Sequence, residues 1–125
     1  MGEEARESHR KENLTMRVWD VPPRRLCRQH LLGEHRELHA IWSVITKHRR
    51  GYSQHPETKR WVGRLRALYN RHEQLVKEMR RRTYQHLSPL EKRLATGSSR
   101  QSVYVDTPRR QIFLLKNKPC PCPIS

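Results

Sequence analysis

Apolar positions recur at three- and four-residue steps through the stretch Gln29 to Trp42, which reads QHLLGEHRELHAIW. Wound as a helix, it aligns His30, Glu34, Glu37 and Ile41 along one side. Leu31, Leu38, Trp42 and Ile45 form a neighbouring stripe that reads as a buried seam. Pro22 and Pro23 disfavour helix before them and suit its first turn after them, so the pattern predicts one long helix from Pro23 to Lys47. Gly33 is a weak point within it. Either it is tolerated at about 1 kcal/mol against alanine, or something approaches the backbone closely there. Arg49 to His55 reads as a loop, and Pro56 opens a second long helix ending near Arg82. One face of that helix carries Trp61, Leu65, Leu68, His72, Leu75, Val76 and Met79. The other is almost wholly cationic, with Lys59, Arg60, Arg64, Arg66, Arg71, Lys77, Arg80 and Arg81.

The C-terminal third is more broken. Ser88-Pro89-Leu90-Glu91 fits a capping box and predicts a short helix to about Ala95. TGSSRQS reads as a loop, and Thr107-Pro108 starts a last helix with Ile112, Leu115 and also Phe113 expected to face inward. Residues 1–15 are polar and without apolar periodicity, which predicts disorder. The expected architecture is all-α, a single compact domain of two long antiparallel helices plus shorter C-terminal helices. Its expected bounds are 16–118, between the extension 1–15 and a Pro/Cys tail over 119–125.

Charge changes the picture more than length does. The chain has 125 residues and a net charge of +15, with only 34% hydrophobic residues, so the core must be lean. From Met16 onward there are 24 basic side chains against 8 acidic ones. A nearly single-signed helix face repels itself without a counter-ion, which points to a polyanion, nucleic acid first, with membrane surfaces and acidic proteins as rivals. No apolar run approaches bilayer length, and no signal peptide is read at the N-terminus. A monomer in the cytoplasm is expected, on the nucleoid when bound to DNA.

Motif chemistry is mostly excluded. There is no P-loop, dinucleotide fingerprint, HExxH or Gly-x-Ser-x-Gly. His35 and His39 stand four apart on one helix, with His30 and His48 pointing elsewhere, and the eight histidines are expected to touch phosphate or pack at the surface rather than hold metal. Cys27 reads as a small packed residue, and Cys120 and Cys122 lack a second pair at finger spacing. Trp19, Trp42 and Trp61 could stack on bases but fit the apolar pattern and are assigned to the core. Glu37, beside Arg36 in a basic protein, is either a structural counter-ion or a catalytic group.

Met16-Arg17, then QHLLGEHREL, then Lys47-His48 together resemble the phage endonuclease V family, the pyrimidine-dimer DNA glycosylases with AP-lyase activity. The likeness runs without a gap from Met16 to His48 and more loosely to about residue 85. The C-terminal part does not match the phage protein's aromatic tail and looks like the ending of shorter microbial relatives.

The resemblance implies a nucleophile at the N-terminal α-amine, which forms a Schiff base at C1′ of the damaged nucleotide. An α-amine has a pKa near 8, so a useful fraction is neutral at physiological pH. That position maps onto Met16, the glutamate acting as acid and in β-elimination maps onto Glu37, and the DNA-binding residues map onto Arg17, Gln29, His30 and Arg36. On this footing Glu37 is expected to be catalytic. The substrate implied is double-stranded DNA carrying a pyrimidine dimer or related lesion, and no cofactor or metal is implied. One family arginine corresponds to Ala40, whose job could pass to His39 or whose loss could mark a different lesion. The amine exists only if the chain starts at Met16, which is the expected start. Two rivals stand beside this reading: a non-catalytic DNA-binding protein on the same scaffold, and a glycosylase for a different modified base.

Overall fold

Leu31, Leu38 and Trp42 form a buried seam, and it is covered by the apolar face of a second helix carrying Leu68, Leu75 and Met79. The computed structural model describes residues 17–48, 55–85 and 88–117, and over them the chain is all-α, with four helices and no strand. The helices are α1 (Arg28–Thr46), α2 (Pro56–Lys59), α3 (Leu65–Arg81) and α4 (Pro108–Lys116), joined by 3-10 turns at Pro23–Arg25 and Lys92–Leu94. Met16, the extension 1–15, most of the 49–55 loop, and Cys120 and Cys122 lie outside the described residues.

Helices α1 and α3 run antiparallel, as their side-chain partners show. Arg28, Glu34 and Trp42 on α1 meet Tyr84, Arg71 and Tyr69 in turn, so one numbering rises as the other falls. Between them lies one apolar cluster, to which Val18, Trp19 and Val21 contribute from the N-terminal segment and Leu115 from α4. Trp19, Trp42 and Trp61 are all buried in it, and Cys27 is buried beside it. No helix among the described residues is long and apolar enough to cross a membrane.

The expected helix from Pro23 is in fact two pieces. A 3-10 turn over Pro23–Arg25 gives way to extended backbone at Leu26 and Cys27, and α1 starts only at Arg28. The cause is Arg82, whose Nη2 donates to the carbonyls of Pro23 (3.3 Å), Arg24 (3.4 Å) and Leu26 (2.7 Å). Pro23 O still accepts from Leu26 N (3.0 Å) within the 3-10 turn, and Leu26 is turned fully into the core.

The second long helix is also divided. Its first turn, α2, ends before Gly63, which adopts φ +78. The free N–H groups at the start of α3 are then taken by the loop 96–98: Arg66 donates to Thr96 O (2.8 Å) and Ala67 to Ser98 O (3.1 Å). Ser98 N in turn donates to Gly63 O (2.9 Å). The approach is so close that a Cβ on Gly97, itself at φ +82, would collide with the Gly63 carbonyl. At its other end α3 closes in a Schellman motif, with Tyr84 N donating to Met79 O (2.8 Å) and Thr83 N to Arg80 O (2.9 Å). Thr83 takes the left-handed position at φ 64.

Three further expectations are corrected. The capping box at Ser88 does not form: only a 3-10 turn follows, Glu91 pairs with Arg93 (2.9 Å), and the Ser88 carbonyl lies against His72. Phe113 faces outward at 52% exposure, because Gln111, Ile112 and Leu115 already supply the inner face of α4. On the cationic face Lys59, Arg66, Lys77 and Arg80 are exposed as expected, but Arg60 and Arg71 are buried in ion pairs. Around Gly33, by contrast, an added Cβ would meet nothing within 4 Å, so no part of the described chain approaches it closely.

Candidate functional site

The segment 17–20 has no regular secondary structure, so its backbone groups need partners from elsewhere, and the fold supplies them as side chains. Val18 N donates to Glu57 Oε2 (2.9 Å), and Val18 O accepts from Arg60 Nη2 (2.8 Å). Asp20 N donates to Gln111 Oε1 (2.7 Å), while Asp20 Oδ2 accepts from Gln111 Nε2 and Arg60 Nη2, both at 2.9 Å. Arg60 also donates through Nε to Glu57 (2.9 Å) and through Nη1 to Val103 O (2.9 Å), with its guanidinium 4.5 Å from the Trp61 ring centroid. Burial alone would lower the Arg60 pKa, but the hydrogen bonds and charges of Glu57 and Asp20 outweigh it and hold the pKa above its usual value. The guanidinium is therefore a permanent buried cation between two carboxylates. It grips the chain two residues beyond Met16.

Arg17 is turned toward this same framework. Its Nη1 lies 3.0 Å from Asp106 Oδ2, and its guanidinium sits 4.9 Å from the Trp19 ring centroid. His30 meets the same indole edge-on at 5.8 Å, with its Nδ1 3.3 Å from Cys27 Sγ. Trp19 thus brings two of the expected binding residues together. Gln29 and Arg36 are exposed on α1 and free of the core.

Two carboxylates stand three residues apart on α1, and the fold gives them different work. Glu34 is buried and receives Arg71 through two hydrogen bonds, Nε at 2.6 Å and Nη2 at 3.0 Å. Burial pushes its carboxyl up, while Arg71 and the Trp19 backbone N–H pull it down, burial being the larger effect. Glu34 is the counter-ion of this helix. Glu37 is half-buried, and partial loss of water raises its pKa above the ordinary carboxylate value against the opposing charges of Arg36 and His55. A carboxyl poised in this way can hold a proton nearer neutrality and give it up to a developing negative charge. His55 is the N-cap of α2, where its Nδ1 accepts from Glu57 N (3.1 Å), so the ring is oriented by the same residue that holds Val18.

Asp20, His55, Glu57, Arg60 and Gln111 were not singled out by the sequence pattern. The three-residue spacing of Glu57 and Arg60 is the one local signal that could have pointed to an ion pair. The partners of Arg60 and Gln111 lie 40 and 91 residues away, where no local pattern reaches. Met16, the expected nucleophile, lies outside the described residues.

A family model described as pyrimidine dimer DNA glycosylase matches residues 16–92. No curated protein matches significantly, and neither does any solved structure.

Proposed function

The chain belongs to the pyrimidine dimer DNA glycosylase family, and on that premise we propose that it excises pyrimidine dimers and then cleaves the abasic strand by β-elimination. The α-amine of Met16, free when the chain starts there, attacks C1′ as the glycosidic bond breaks. Glu37 protonates the ring oxygen as the sugar opens to the Schiff base. As a carboxylate it then assists removal of a C2′ proton, and the C3′–O bond breaks. Arg36 and Gln29, exposed on the same helix, and the cations Lys59, Arg66, Lys77 and Arg80 would contact the DNA backbone. Arg17 and His30 would act from either side of Trp19.

The observation that carries this reading is the hold on Val18 by Glu57 and Arg60. An amine two residues upstream is covalently tethered within about 7 Å of that fixed point, and this hold on the adjoining chain supports the amine as the nucleophile. The reading is tested with Glu37→Gln, which keeps size and hydrogen bonding but cannot carry the proton. Base excision should fall by roughly 10²- to 10⁴-fold while damaged-DNA affinity stays close to that of the parent. Equal losses in both would assign Glu37 a structural role.

A further inference from the structure

We propose that His35, His39 and His72 bind one divalent metal ion of the zinc class, which ties α1 to α3 on the side of α1 away from Glu37. His35 and His39 are one helical turn apart on α1, and His72 projects between them from α3. One ligand nitrogen from each lies within 4.8 Å of the others. His39 Nε2 and His72 Nε2 are 3.2 Å apart. Two nitrogens bound to one tetrahedral zinc at 2.0–2.1 Å are separated by about 3.3 Å. The three ring centroids are 4.7, 5.0 and 5.2 Å apart, near the ~5 Å that tetrahedral binding of imidazoles through their nitrogens requires. Small rotations about the side-chain torsions bring the third nitrogen into place.

The surroundings of His72 point the same way. Its Nδ1 lies 3.1 Å from Glu73 Oε1, and a carboxylate only accepts, so Nδ1 carries the hydrogen. In the neutral ring Nε2 then presents a lone pair, yet it faces the Ser88 carbonyl oxygen at 3.3 Å, another acceptor, as well as His39 Nε2. An Nε2–H tautomer of His39 can donate to His72, and a shared metal ion is the alternative that engages both lone pairs together with the Ser88 carbonyl. A metal ion satisfies all of them at once, with Ser88 O, again at a tetrahedral edge distance, as fourth donor. The carboxylate behind a ligating imidazole is the usual outer partner at such sites.

The donor set also states the role. With the donors drawn from the protein and His72 wholly buried, the site is closed, which fits a structural ion rather than one that activates water. His35 and His39 are each two residues from Glu37, about 200° around the helix, so the ion faces away from the proposed chemistry. It sits beside the Glu34–Arg71 pair, one residue along on each helix, and extends that cross-link to the 88 segment.

The test uses the full chain with Cys120 and Cys122 changed to serine, stripped by a chelator and titrated with Co²⁺ as probe. One equivalent should give the visible absorption of tetrahedral cobalt without a thiolate charge-transfer band, and one equivalent of Zn²⁺ should bleach it. At a hundredfold excess of Zn²⁺ over its Kd, the thermal midpoint should rise by about 5 °C or more. His39→Asn, at a half-buried ligand, should abolish both responses while keeping the helical spectrum, and His48→Ala should keep both. Should His39→Asn fail to fold, His35→Gln carries the same comparison. No tetrahedral cobalt signal from the parent chain would overturn the proposal, and so would an undiminished signal in the ligand variant.

Discussion

Arg60 lends itself to a quantitative test, because its fork satisfies four acceptors on three separate segments. Arg60→Met removes all four bonds and leaves Glu57, which is 3% exposed, and Asp20 without their cation. Breaking a buried ion pair from one side costs about 3–5 kcal/mol. Arg60→Lys keeps the charge, and one ammonium can still serve the two carboxylates. It cannot also reach the Val18 and Val103 carbonyls in the fork geometry. The Val103 carbonyl can turn to water; the buried Val18 carbonyl cannot. The lysine variant should therefore lose about 1–3 kcal/mol, the cost of one buried polar group left unsatisfied.

Urea unfolding followed by far-ultraviolet circular dichroism measures both losses, and avoids the fluorescence of Trp61, which stacks on the residue being changed. With an m-value of about 2 kcal/mol/M, the midpoint should fall by roughly 1 M for lysine and 2 M for methionine. Adding Glu57→Gln to the methionine variant should recover part of the loss, since less buried charge then stands uncompensated. Below the unfolding range, the lysine variant should bind damaged DNA nearly as the parent does yet cleave it more slowly, its N-terminal segment being less firmly held. Stability within about 0.5 kcal/mol of the parent for both variants would refute the clamp, because surface substitutions away from such networks give changes of that size.

Two other outcomes follow from particular residues. Thr83 is a β-branched residue at φ 64 in the position that closes α3, so Thr83→Gly should stabilise the fold by about 1 kcal/mol, read as a higher urea midpoint. A lower midpoint would mean that the hydroxyl matters more than the backbone. Hydrogen bonds from Arg81, and then from Arg82, hold the Glu78 carboxyl down to about 2 against the effect of its burial. The unfolded carboxyl takes its proton first as pH falls, so this contribution is complete above about pH 4.5 and drains away toward pH 2. Glu78→Gln should flatten that part of the stability profile, and an unchanged slope would contradict the assignment.

The parts of the fold legible in the sequence are those fixed by neighbours. The seam of Leu31, Leu38 and Trp42 and the facing stripe of Leu68, Leu75 and Met79 follow from helical period alone, and so does the burial of the three tryptophans. Thr107 caps α4 as its position before Pro108 suggested, accepting from Arg110 N (3.2 Å). What misled was distance. Arg60 and Arg71 read as part of a solvated cationic face because their acidic partners Asp20 and Glu34 lie 40 and 37 residues away. Arg82 stops the expected helix at Leu26 from 56 residues away. His35 and His39 were visible as a pair, but only the packing of α3 against α1 brings His72 between them. Of the site itself, the resemblance singled out Glu37 beside Arg36. Which of two nearby glutamates would serve as counter-ion depended on Arg71, and that pairing is a property of the fold.

In the proposed mechanism the amine of Met16 forms the covalent intermediate. Borohydride trapping on abasic-site DNA, with one chain starting at Met1 and another at Met16, tests it most directly. A covalent adduct is expected from the Met16 form alone, mapped to its first residue. Adducts from both forms would point to a lysine or a processed N-terminus and contradict it. Adducts from neither, with DNA binding intact, would leave a binding protein built on a repair enzyme's scaffold.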